Sequence, residues 1–346
     1  MLATKTDVGD KKMTSDTAVQ KVKFYQTGTH TVGNRLMDES GRTVQASPNR
    51  SNAITSGHRA CQGCGEALGA RYALDAAMRA AVGKIVAVNA TGCLEVFTTP
   101  YPETSWQIPW LHSLFGNAPA VAAGVAAGLR VRGLDDTKVV AQGGGGGTAD
   151  IGFSCLSGMF ERNDDVLYIC YDNEAYMNTG VQRSSATPPA ARTATTPAVG
   201  DAPGNIFGTG KKVPEIAMAH NIPYVATASV ADLHDLEDKV TRAMEMSGAR
   251  YIHIMVPCPL GWGSEPKDTI LIARLAVESG LFPLFEAEHG LIVATSKIRR
   301  RVPVEEYLRL QRRFAHLFKK GDEDKKRIAA IQRMAHANIE KYGLAV

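Results

Sequence analysis

The stretch 138–152, K-V-V-A-Q-G-G-G-G-G-T-A-D-I-G, joins a short apolar strand to five consecutive glycines and then to a helix-like segment. Glycine has no Cβ, so a backbone built from it can approach a diphosphate closely, and amide N–H groups at the next helix's start meet the negative charge. A merely flexible turn is the alternative, but five glycines between two ordered elements carry a large cost in conformational entropy. The stretch therefore predicts a phosphate-binding turn at the end of a strand.

The segment that follows the turn indicates which phosphate ligand it serves. A nicotinamide dinucleotide site would place G-x-G-x-x-G after the first strand, with an acidic residue ending the next, and this glycine run lies mid-chain. The next strand, 165–171, is continuously apolar, which predicts burial on both faces. It leads into D-N-E-A-Y-M-N-T-G at 172–180, where an amide side chain and a backbone carbonyl two residues later suit a phosphate-bridging magnesium ion. A glycine turn, a strand and an Asn-rich turn are the arrangement of thiamin diphosphate enzymes.

Strands and helices alternate on both sides of this stretch. Such alternation predicts an α/β protein with a mostly parallel sheet and helices on both faces. We expect strands at 84–89, 138–141, 165–171, 223–228 and 251–256, and helices at 66–82, 118–129 and 230–247.

The two ends of the chain differ from this core, residues 51–285, in composition. Residues 1–50 are rich in Thr, Ser, Asn and Lys and cannot bury enough apolar surface to fold alone, so we expect an extended N-terminal arm. Residues 286–346 are predicted to form a basic, helical C-terminal tail, with helical spacing at 304–318 and a second helix at 323–341. The Arg and Lys side chains of the tail are interpreted as a solvated face or a subunit contact.

Composition excludes several classes of function. The chain has 346 residues, 44% of them hydrophobic and 21% charged, with a formal net charge of +4. That charge is too small and too local to indicate nucleic-acid binding. No apolar run reaches membrane-spanning length, and the N-terminus lacks the apolar core of a signal peptide. We therefore expect a cytoplasmic protein, in which thiols stay reduced and can bind metal.

Four cysteines are candidates for metal binding. Cys61 and Cys64 stand as C-Q-G-C, while Cys93 and Cys258 each follow a strand-like run, in T-G-C-L-E and P-C-P. The strand-to-loop positions are where open α/β sheets bind ligands. A C-x-x-C pair alone also occurs in redox motifs and zinc sites, but four convergent thiols favour an iron–sulfur cluster. Structural zinc is the main alternative.

Five motifs together resemble the β subunit of the 2-oxoacid:ferredoxin (acceptor) oxidoreductases, the pyruvate synthase family. They are H-R-A-C-Q-G-C-G-E, T-G-C-L-E, G-G-T-A-D-I-G, Y-D-N-E-A-Y-M-N-T-G-V-Q-R-S and P-C-P-L-G-W, in this order between residues 55 and 265, and V-E-E-Y-L-R-L-Q resembles the family's C-terminal region. The resemblance implies a thiamin diphosphate-binding fold and oxidative decarboxylation of a 2-oxoacid, to acyl-coenzyme A in most relatives. Electrons would pass through a 4Fe–4S cluster to ferredoxin or another acceptor.

The resemblance also assigns site residues. Asn178, near the reacting thiazolium carbon, and Glu66 would be catalytic. The implied cluster ligands are Cys61, Cys64, Cys93 and Cys258, and the implied magnesium ligands are Asn173 and the carbonyl of Ala175. The predicted cofactor-binding residues are Glu66, Gly92, Cys93, His112, Gly144, Gly145, Gly146, Gly147, Thr148, Asn173, Ala175, Tyr176, Met177, Asn178 and Thr179.

Two features depart from the family pattern. The family has G-D-G in the glycine run, with the aspartate on magnesium, whereas Gly145 stands in that place here. Water, Asp150 or Asp172 are the candidates to replace the missing carboxylate. The loop 187–192, T-P-P-A-A-R, lacks the Trp and Gly that follow the first proline in pyruvate-using relatives, which indicates a larger, branched or aromatic 2-oxoacid.

The resemblance further implies partner chains. This chain has no second cysteine set, and the glutamate that activates thiamin comes from another subunit in this family. We therefore expect α, γ and δ subunits and no activity from this chain alone. Two alternatives remain: a non-redox thiamin diphosphate enzyme subunit with structural zinc, and a non-catalytic assembly subunit that keeps the fold.

Overall fold

The computed structural model describes residues 23–25, 31–33, 52–55, 57–99, 104–319 and 322–346. Residues 1–51 and 52–346 form two separate compact units. In the first, β1 (Lys23–Tyr25) pairs antiparallel with β2 (Thr31–Gly33). The rest of the predicted N-terminal arm lies outside the described residues.

The second unit is built on an eight-stranded sheet with the strand order β10–β9–β7–β8–β6–β5–β3–β4. Strands β3 to β8 run parallel, while β9 pairs antiparallel with β7, and β10 with β9. The strands are β3 (Ile85–Ala90), β4 (Trp110–Ser113), β5 (Lys138–Gly144), β6 (Val166–Asp172), β7 (Tyr224–Ser229), β8 (Arg250–Met255), β9 (Phe285–Glu288) and β10 (Leu291–Thr295).

Helices cover both faces of the sheet, so the predicted α/β fold is confirmed. Alternate side chains of the strands pack with α1 and α6 on one face, and with α3, α4 and α5 on the other. The helices are α1 (Gly65–Ala80), α2 (Cys93–Thr98), α3 (Ala118–Val131), α4 (Phe153–Glu161), α5 (Val213–Ala219), α6 (Leu233–Glu245), α7 (Pro259–Trp262), α8 (Thr269–Glu278), α9 (Val304–Arg309) and α10 (Lys325–Lys341). None of the helices in the described ranges is long and apolar enough to span a membrane.

The central strands are buried because they have helices on both sides. Every residue of β6 and β8 is buried, as the continuously apolar sequence of β6 predicts. Because β3, β5, β6 and β8 are parallel, their carboxyl ends meet at one edge of the sheet. The glycine turn follows β5 at this edge, the Cys93 and Cys258 segments follow β3 and β8, and the C-Q-G-C segment lies against the turn after β8.

The C-terminal region differs from the purely helical tail that we expected. Its first residues form β9 and β10, which add an antiparallel hairpin to the main sheet, so the predicted boundary at residue 285 falls inside a strand. His289 and Gly290 have φ values of 46° and 76°, as a tight hairpin turn requires. A short hairpin, β11 (Phe318–Lys319) and β12 (Asp322–Glu323), precedes α10.

The apolar pattern at 304–318 is also not one helix. It forms α9 and a 3₁₀ segment, Arg312–Leu317, separated by an extended Gln311. The break turns Arg313 inward, where its guanidinium stacks 3.8 Å from the Trp262 ring centroid and pairs with Glu174. This buried ion pair, which the helical pattern does not reveal, overrides the local helical preference. Arg313 therefore does not belong to the solvated face that we expected.

Candidate cofactor and thiol site

Most of the predicted cofactor-binding residues line one cavity at the carboxyl edge of the sheet, here called the glycine-turn cavity. It lies beside the ends of β3, β5 and β6, where parallel α/β sheets bind ligands. Its lining residues are Glu66, Thr91, Gly92, Cys93, Phe115, Gly144, Gly146, Gly147, Asn173, Ala175, Tyr176, Met177, Asn178 and Thr179.

Three predicted residues are not part of this wall. His112 accepts from or donates to the Thr91 hydroxyl at 2.8 Å, and Thr148 is buried beside the Tyr168 hydroxyl at 3.0 Å. Gly145 lies against Asp172, behind the glycines that face the cavity. Two further residues, Thr91 and Phe115, line the cavity without having been predicted. The position of Thr91 directly before G-C-L-E was the only available signal for it, and Phe115 had none.

The glycine turn must be free of side chains because aromatic rings pack against it. A Cβ on Gly146 would lie 2.8 Å from the nearest carbon of the Tyr176 ring, closer than real contacts allow. The Tyr176 ring in turn packs against Phe115, with ring centroids 5.6 Å apart. The turn is thus held against two rings while Gly144, Gly146 and Gly147 line the cavity.

Glu66 is the central charged group of the site. It lies in the first turn of α1 and is 3% exposed, and its carboxylate accepts from Leu94 N–H at 3.1 Å and from the Asn173 side-chain amide at 3.0 Å. Burial outweighs these hydrogen bonds and raises the pKa of Glu66 to about 7. The carboxyl group therefore exchanges its proton near neutral pH.

Asn173 presents an unused oxygen. Its side-chain nitrogen donates to Glu66, and its own carbonyl oxygen accepts from Trp262 Nε1 at 2.9 Å. The side-chain amide oxygen is buried and has no hydrogen-bond partner among the described residues. Since buried polar atoms are nearly always satisfied, this atom fits a ligand position. An amide oxygen suits a hard cation such as magnesium.

All four candidate cysteines line a second cavity, here called the thiol cavity. Its lining residues include Arg59, Cys61, Cys64, Glu66, Cys93, Phe97, Asn173, Asn178, Pro257 and Cys258. Cys64 and Cys258 cap the N-termini of α1 and α7, where their sulfurs accept from Ala67 N–H and Gly261 N–H, each at 3.4 Å.

The two cysteine-bearing turns are joined by a close backbone contact. Gly65 N–H donates to the Pro257 carbonyl at 3.1 Å, and a Cβ on Gly65 would lie 2.7 Å from that oxygen. The glycine after C-Q-G-C is therefore required for the segment to reach Cys258. This contact brings together two segments that lie about 200 residues apart along the chain.

Three of the thiols, those of Cys64, Cys93 and Cys258, have pKa values raised above the ordinary value and are protonated at neutral pH. Burial, and then the nearby Glu66 carboxylate, raises the pKa of Cys64 to about 12 and of Cys93 further still. Burial likewise raises the pKa of Cys258 to about 11. A bound metal centre must therefore displace these protons.

A single metal ion and a cluster differ in the arrangement of ligands that they need. Within the described ranges, no three Cys, His, Asp or Glu side chains are grouped closely enough to hold one metal ion. A tetrahedral zinc site needs its four sulfurs each about 2.3 Å from one centre. In a four-iron cluster each thiolate binds a different iron, so the sulfurs stand further apart.

The two cavities share a wall formed by Glu66, Cys93, Asn173 and Asn178. Comparison with known proteins shows the family to which the chain belongs. A model described as "Thiamine pyrophosphate enzyme, C-terminal TPP binding domain" matches residues 90–254. Pyruvate synthase subunit PorB of Methanosarcina barkeri is 52% identical over 294 residues, which are 84% of this chain and 97% of that protein.

The chain belongs to the β subunits of the 2-oxoacid:ferredoxin oxidoreductases. Pyruvate synthase subunit PorB of Pyrococcus furiosus is 43% identical over 77% of this chain and 87% of that protein. Ketoisovalerate oxidoreductase subunit VorB of Pyrococcus horikoshii is 44% identical over 78% of this chain and 87% of that protein. The resemblance drawn from the five motifs is thereby confirmed.

A solved structure supports the same family and fold. The 2-oxoglutarate:ferredoxin oxidoreductase of Magnetococcus marinus, with 2-oxoglutarate, coenzyme A and succinyl-CoA bound, is 28% identical, with a TM-score of 0.50. The match covers 58% of this chain and 64% of that chain. The predicted thiamin diphosphate-binding fold is confirmed, and the chain is a subunit of an enzyme of the oxidoreductase family.

Proposed function

We propose that this chain binds thiamin diphosphate and magnesium in the glycine-turn cavity and a 4Fe–4S cluster in the thiol cavity, and that it acts in the oxidative decarboxylation of a 2-oxoacid. The observation that carries the proposal is the wall shared by the two cavities. Cys93 lines both, so a cluster ligand would lie directly beside the cofactor. Electrons released at one site would have only a short distance to travel.

The residues of the glycine-turn cavity fit the cofactor. The glycine turn would hold the diphosphate through backbone N–H groups, and the unused Asn173 amide oxygen and the Ala175 carbonyl would bind magnesium. Bound thiamin diphosphate supplies the carbanion and the electron sink for decarboxylation. Glu66 and Asn178 stand between the cavities, where Asn178 would orient the reacting end of the cofactor and Glu66 would hold or release a proton.

The thiol cavity offers the four thiols that a cluster needs. Cys61, Cys64, Cys93 and Cys258 would each bind one iron as thiolates, so their protons would leave when the cluster enters. Structural zinc on the same thiols is the alternative, and metal analysis separates the two.

Partners and substrate follow from the relatives' names and from the loop 187–192. We propose that the chain works in the cytoplasm with α, γ and δ type subunits, with coenzyme A as acyl acceptor and ferredoxin or another electron acceptor. Relatives named for pyruvate are 52% and 43% identical to this chain, and a relative named for ketoisovalerate is 44% identical. The proposal of a branched or aromatic 2-oxoacid rests on the loop 187–192, which is not among the residues that line the glycine-turn cavity in the described ranges.

The first prediction concerns the cluster ligands. Cys64→Ala should remove most of the iron and sulfide bound by this chain when the complex is purified without air, because one iron loses its thiolate. Cys155→Ala is the matched control, since Cys155 lies in α4, away from the thiol cavity. The readouts are iron, sulfide, zinc and thiamin diphosphate content, followed by assay of a 2-oxoacid panel with a dye acceptor.

The outcomes separate the alternatives. Zinc in place of iron, with thiamin diphosphate present, would support the non-redox alternative. Absence of bound thiamin diphosphate from the wild-type complex would support the assembly subunit. Equal iron content in Cys64→Ala and wild type would contradict the proposed cluster.

A further inference from the structure

The main sheet ends in an exposed, apolar edge strand, β10. This strand pairs only with β9, so its outward N–H and C=O groups have no partner strand among the described residues. Leu291 is 72% exposed, Val293 49% and Ile292 40%. Edge strands are usually protected by charged residues, proline or bulges, because an unprotected edge pairs with other chains. The stretch 291–295 has no charged residue and no proline, and its one irregularity is a bulge at Val293.

The exposed side chains of β10 lie on both faces of the sheet. Leu291 is opposite Glu288, whose carboxylate pairs with Arg242 of α6. Ile292 is opposite Ala287, which packs in the core on the other face. Residues that stand opposite each other in an antiparallel pair share a face. The edge therefore fits an added strand, which presents side chains to both faces at once.

A cavity with an excess of positive charge, here called the basic cavity, begins directly after β10. It holds about 610 Å³ and lies between the segment after β10, helix α8 and the start of α6. Four cations and two carboxylates line it: Arg274, Lys297, Arg299, Arg300, Asp232 and Glu278. The lining therefore attracts an acidic group.

Most of this positive charge is not neutralised within the chain as described. Arg274, Lys297 and Arg299 have no ion-pair partner in the described ranges, and Arg300 reaches Glu306 only at 3.8 Å. The ammonium group of Lys297 donates to the backbone carbonyl of Gly343, which carries no full charge. The cavity thus has room and charge for acidic side chains from another molecule.

The two carboxylates of the lining do not remove this excess. Asp232 accepts from Asp235 N–H at 3.1 Å and so caps the start of α6. One oxygen of Glu278 is buried and has no hydrogen-bond partner among the residues described. Buried polar atoms are nearly always paired, so an occupant that brings N–H donors as well as acidic groups suits the cavity. A polypeptide segment has both.

We propose that the β10 edge and the basic cavity together bind an extended segment of a partner subunit. The segment pairs with β10 as a ninth strand of the sheet, and acidic side chains beyond that strand enter the basic cavity. A second copy of this chain fits less well, because a twofold-symmetric contact would present the same basic surface again. The inference rests on the proposed association with partner subunits and specifies where one of them binds.

The test is hydrogen–deuterium exchange of the full chain, alone and in the complex with its α, γ and δ type subunits. We expect exchange in the stretch 291–295 to slow by at least about tenfold on assembly, because its outward N–H groups become paired. Equal exchange rates in the two states would overturn the proposal. Protection that appears in the chain alone as its concentration rises would also overturn it, since a second copy would then cover the edge.

A variant of the strand tests the apolar edge. Val293→Lys places a charge on the edge and should weaken assembly of the complex by about tenfold or more. Val82→Lys is the matched control, because Val82 is 87% exposed at the end of α1 and should tolerate lysine without loss of assembly. Analytical ultracentrifugation measures assembly, and circular dichroism checks that each variant is folded.

A variant of the basic cavity tests the acidic character of the segment. Lys297→Glu combined with Arg299→Glu should weaken assembly by about tenfold, and more at low than at high salt, because like charges would then face each other. Arg333→Glu is the control, since Arg333 is exposed on α10 and does not line the cavity. Assembly at the wild-type level by either folded variant, Val293→Lys or the double one, would overturn the proposal.

Failure of this inference and of the proposed function give different results. A complex that assembles while β10 stays unprotected would overturn the binding surface and leave the bound thiamin diphosphate and iron unchanged. A wild-type complex without thiamin diphosphate, or a wild-type chain that assembles with no partner subunit, would overturn the proposed function itself.

Discussion

Glu66 shows how one side chain joins the two cavities. Its carboxylate accepts from the backbone of α2 and from Asn173, so it fixes the residue after Cys93 relative to the end of β6. Its burial between two polar donors leaves the group close to half-protonated at neutral pH, where a small change in surroundings shifts the balance. The charge state of Glu66 also affects the thiols, because its negative charge raises the pKa of Cys64 and Cys93.

The second prediction is the pH dependence of stability that Glu66 imposes. Its folded pKa, about 7, lies above the ordinary value of 4.5, so the folded chain binds more protons than the unfolded chain between these values. Stability should therefore be highest below pH 4.5 with respect to this group, fall by about 3 kcal/mol as pH rises to 7, and stay level above. Glu66→Gln should remove most of this slope.

The measurement is urea unfolding of the metal-free full chain between pH 5 and pH 8. Glu95→Gln, on the neighbouring helix α2, is the matched control and should keep the slope. A Glu66→Gln variant with the slope of the wild type would show that another group titrates in this window.

At the scale of elements, the glycine turn and the turn after β6 form the site together. The turn after β5 has to be bare because the Tyr176 ring, from the segment after β6, lies against it. The same segment carries Asn173 at one end and Thr179 at the other, so one loop supplies the proposed metal ligand, the ring contact and part of the cavity wall.

The third prediction is that Gly146→Ala disturbs this pair of turns. The added Cβ would lie 2.8 Å from the Tyr176 ring, so the ring or the turn must move. We expect a loss of about 1–3 kcal/mol in unfolding free energy, typical of overpacking, and weaker thiamin diphosphate binding by calorimetry. Gly124→Ala in α3 is the control, because open space surrounds that position. There alanine should be neutral or should stabilise the chain by about 0.5–1 kcal/mol.

Of the two readouts, thiamin diphosphate affinity decides whether the prediction holds. Full cofactor affinity in Gly146→Ala would mean that the turn does not need its bare backbone, and the diphosphate would then have to bind elsewhere.

Periodicity predicts an element when each of its faces has a uniform environment along its length. Strand β6 and helix α1 could be predicted to within two residues, because one is apolar throughout and the other is rich in alanine with regular apolar spacing. The break between α9 and the 3₁₀ segment could not, since it depends on Arg313 reaching Glu174, a partner 139 residues away in sequence. Hairpin β9–β10 did carry a local signal, the alternation F-E-A-E followed by His289-Gly290.

At the scale of the whole molecule, sheet order decides which remote residues meet. Strands β3, β5, β6 and β8 are consecutive neighbours with one direction, so the segments after them converge without long loops. The motifs could predict most of the lining residues because four of the five motifs sit at strand ends, and the fifth begins α1. They could not predict that Gly145 faces Asp172, or that His112 bonds to Thr91, because these depend on packing between strands.

The central claim is that four thiols and thiamin diphosphate occupy adjoining cavities of this chain. The most direct test is a crystal structure of the complex, prepared without air with Mg²⁺ and thiamin diphosphate, with anomalous data at the iron absorption edge. We expect an iron peak enclosed by Cys61, Cys64, Cys93 and Cys258, and the diphosphate against the glycine turn on the other side of Glu66. Iron absent from the thiol cavity, or a diphosphate bound away from residues 144–147, would contradict it.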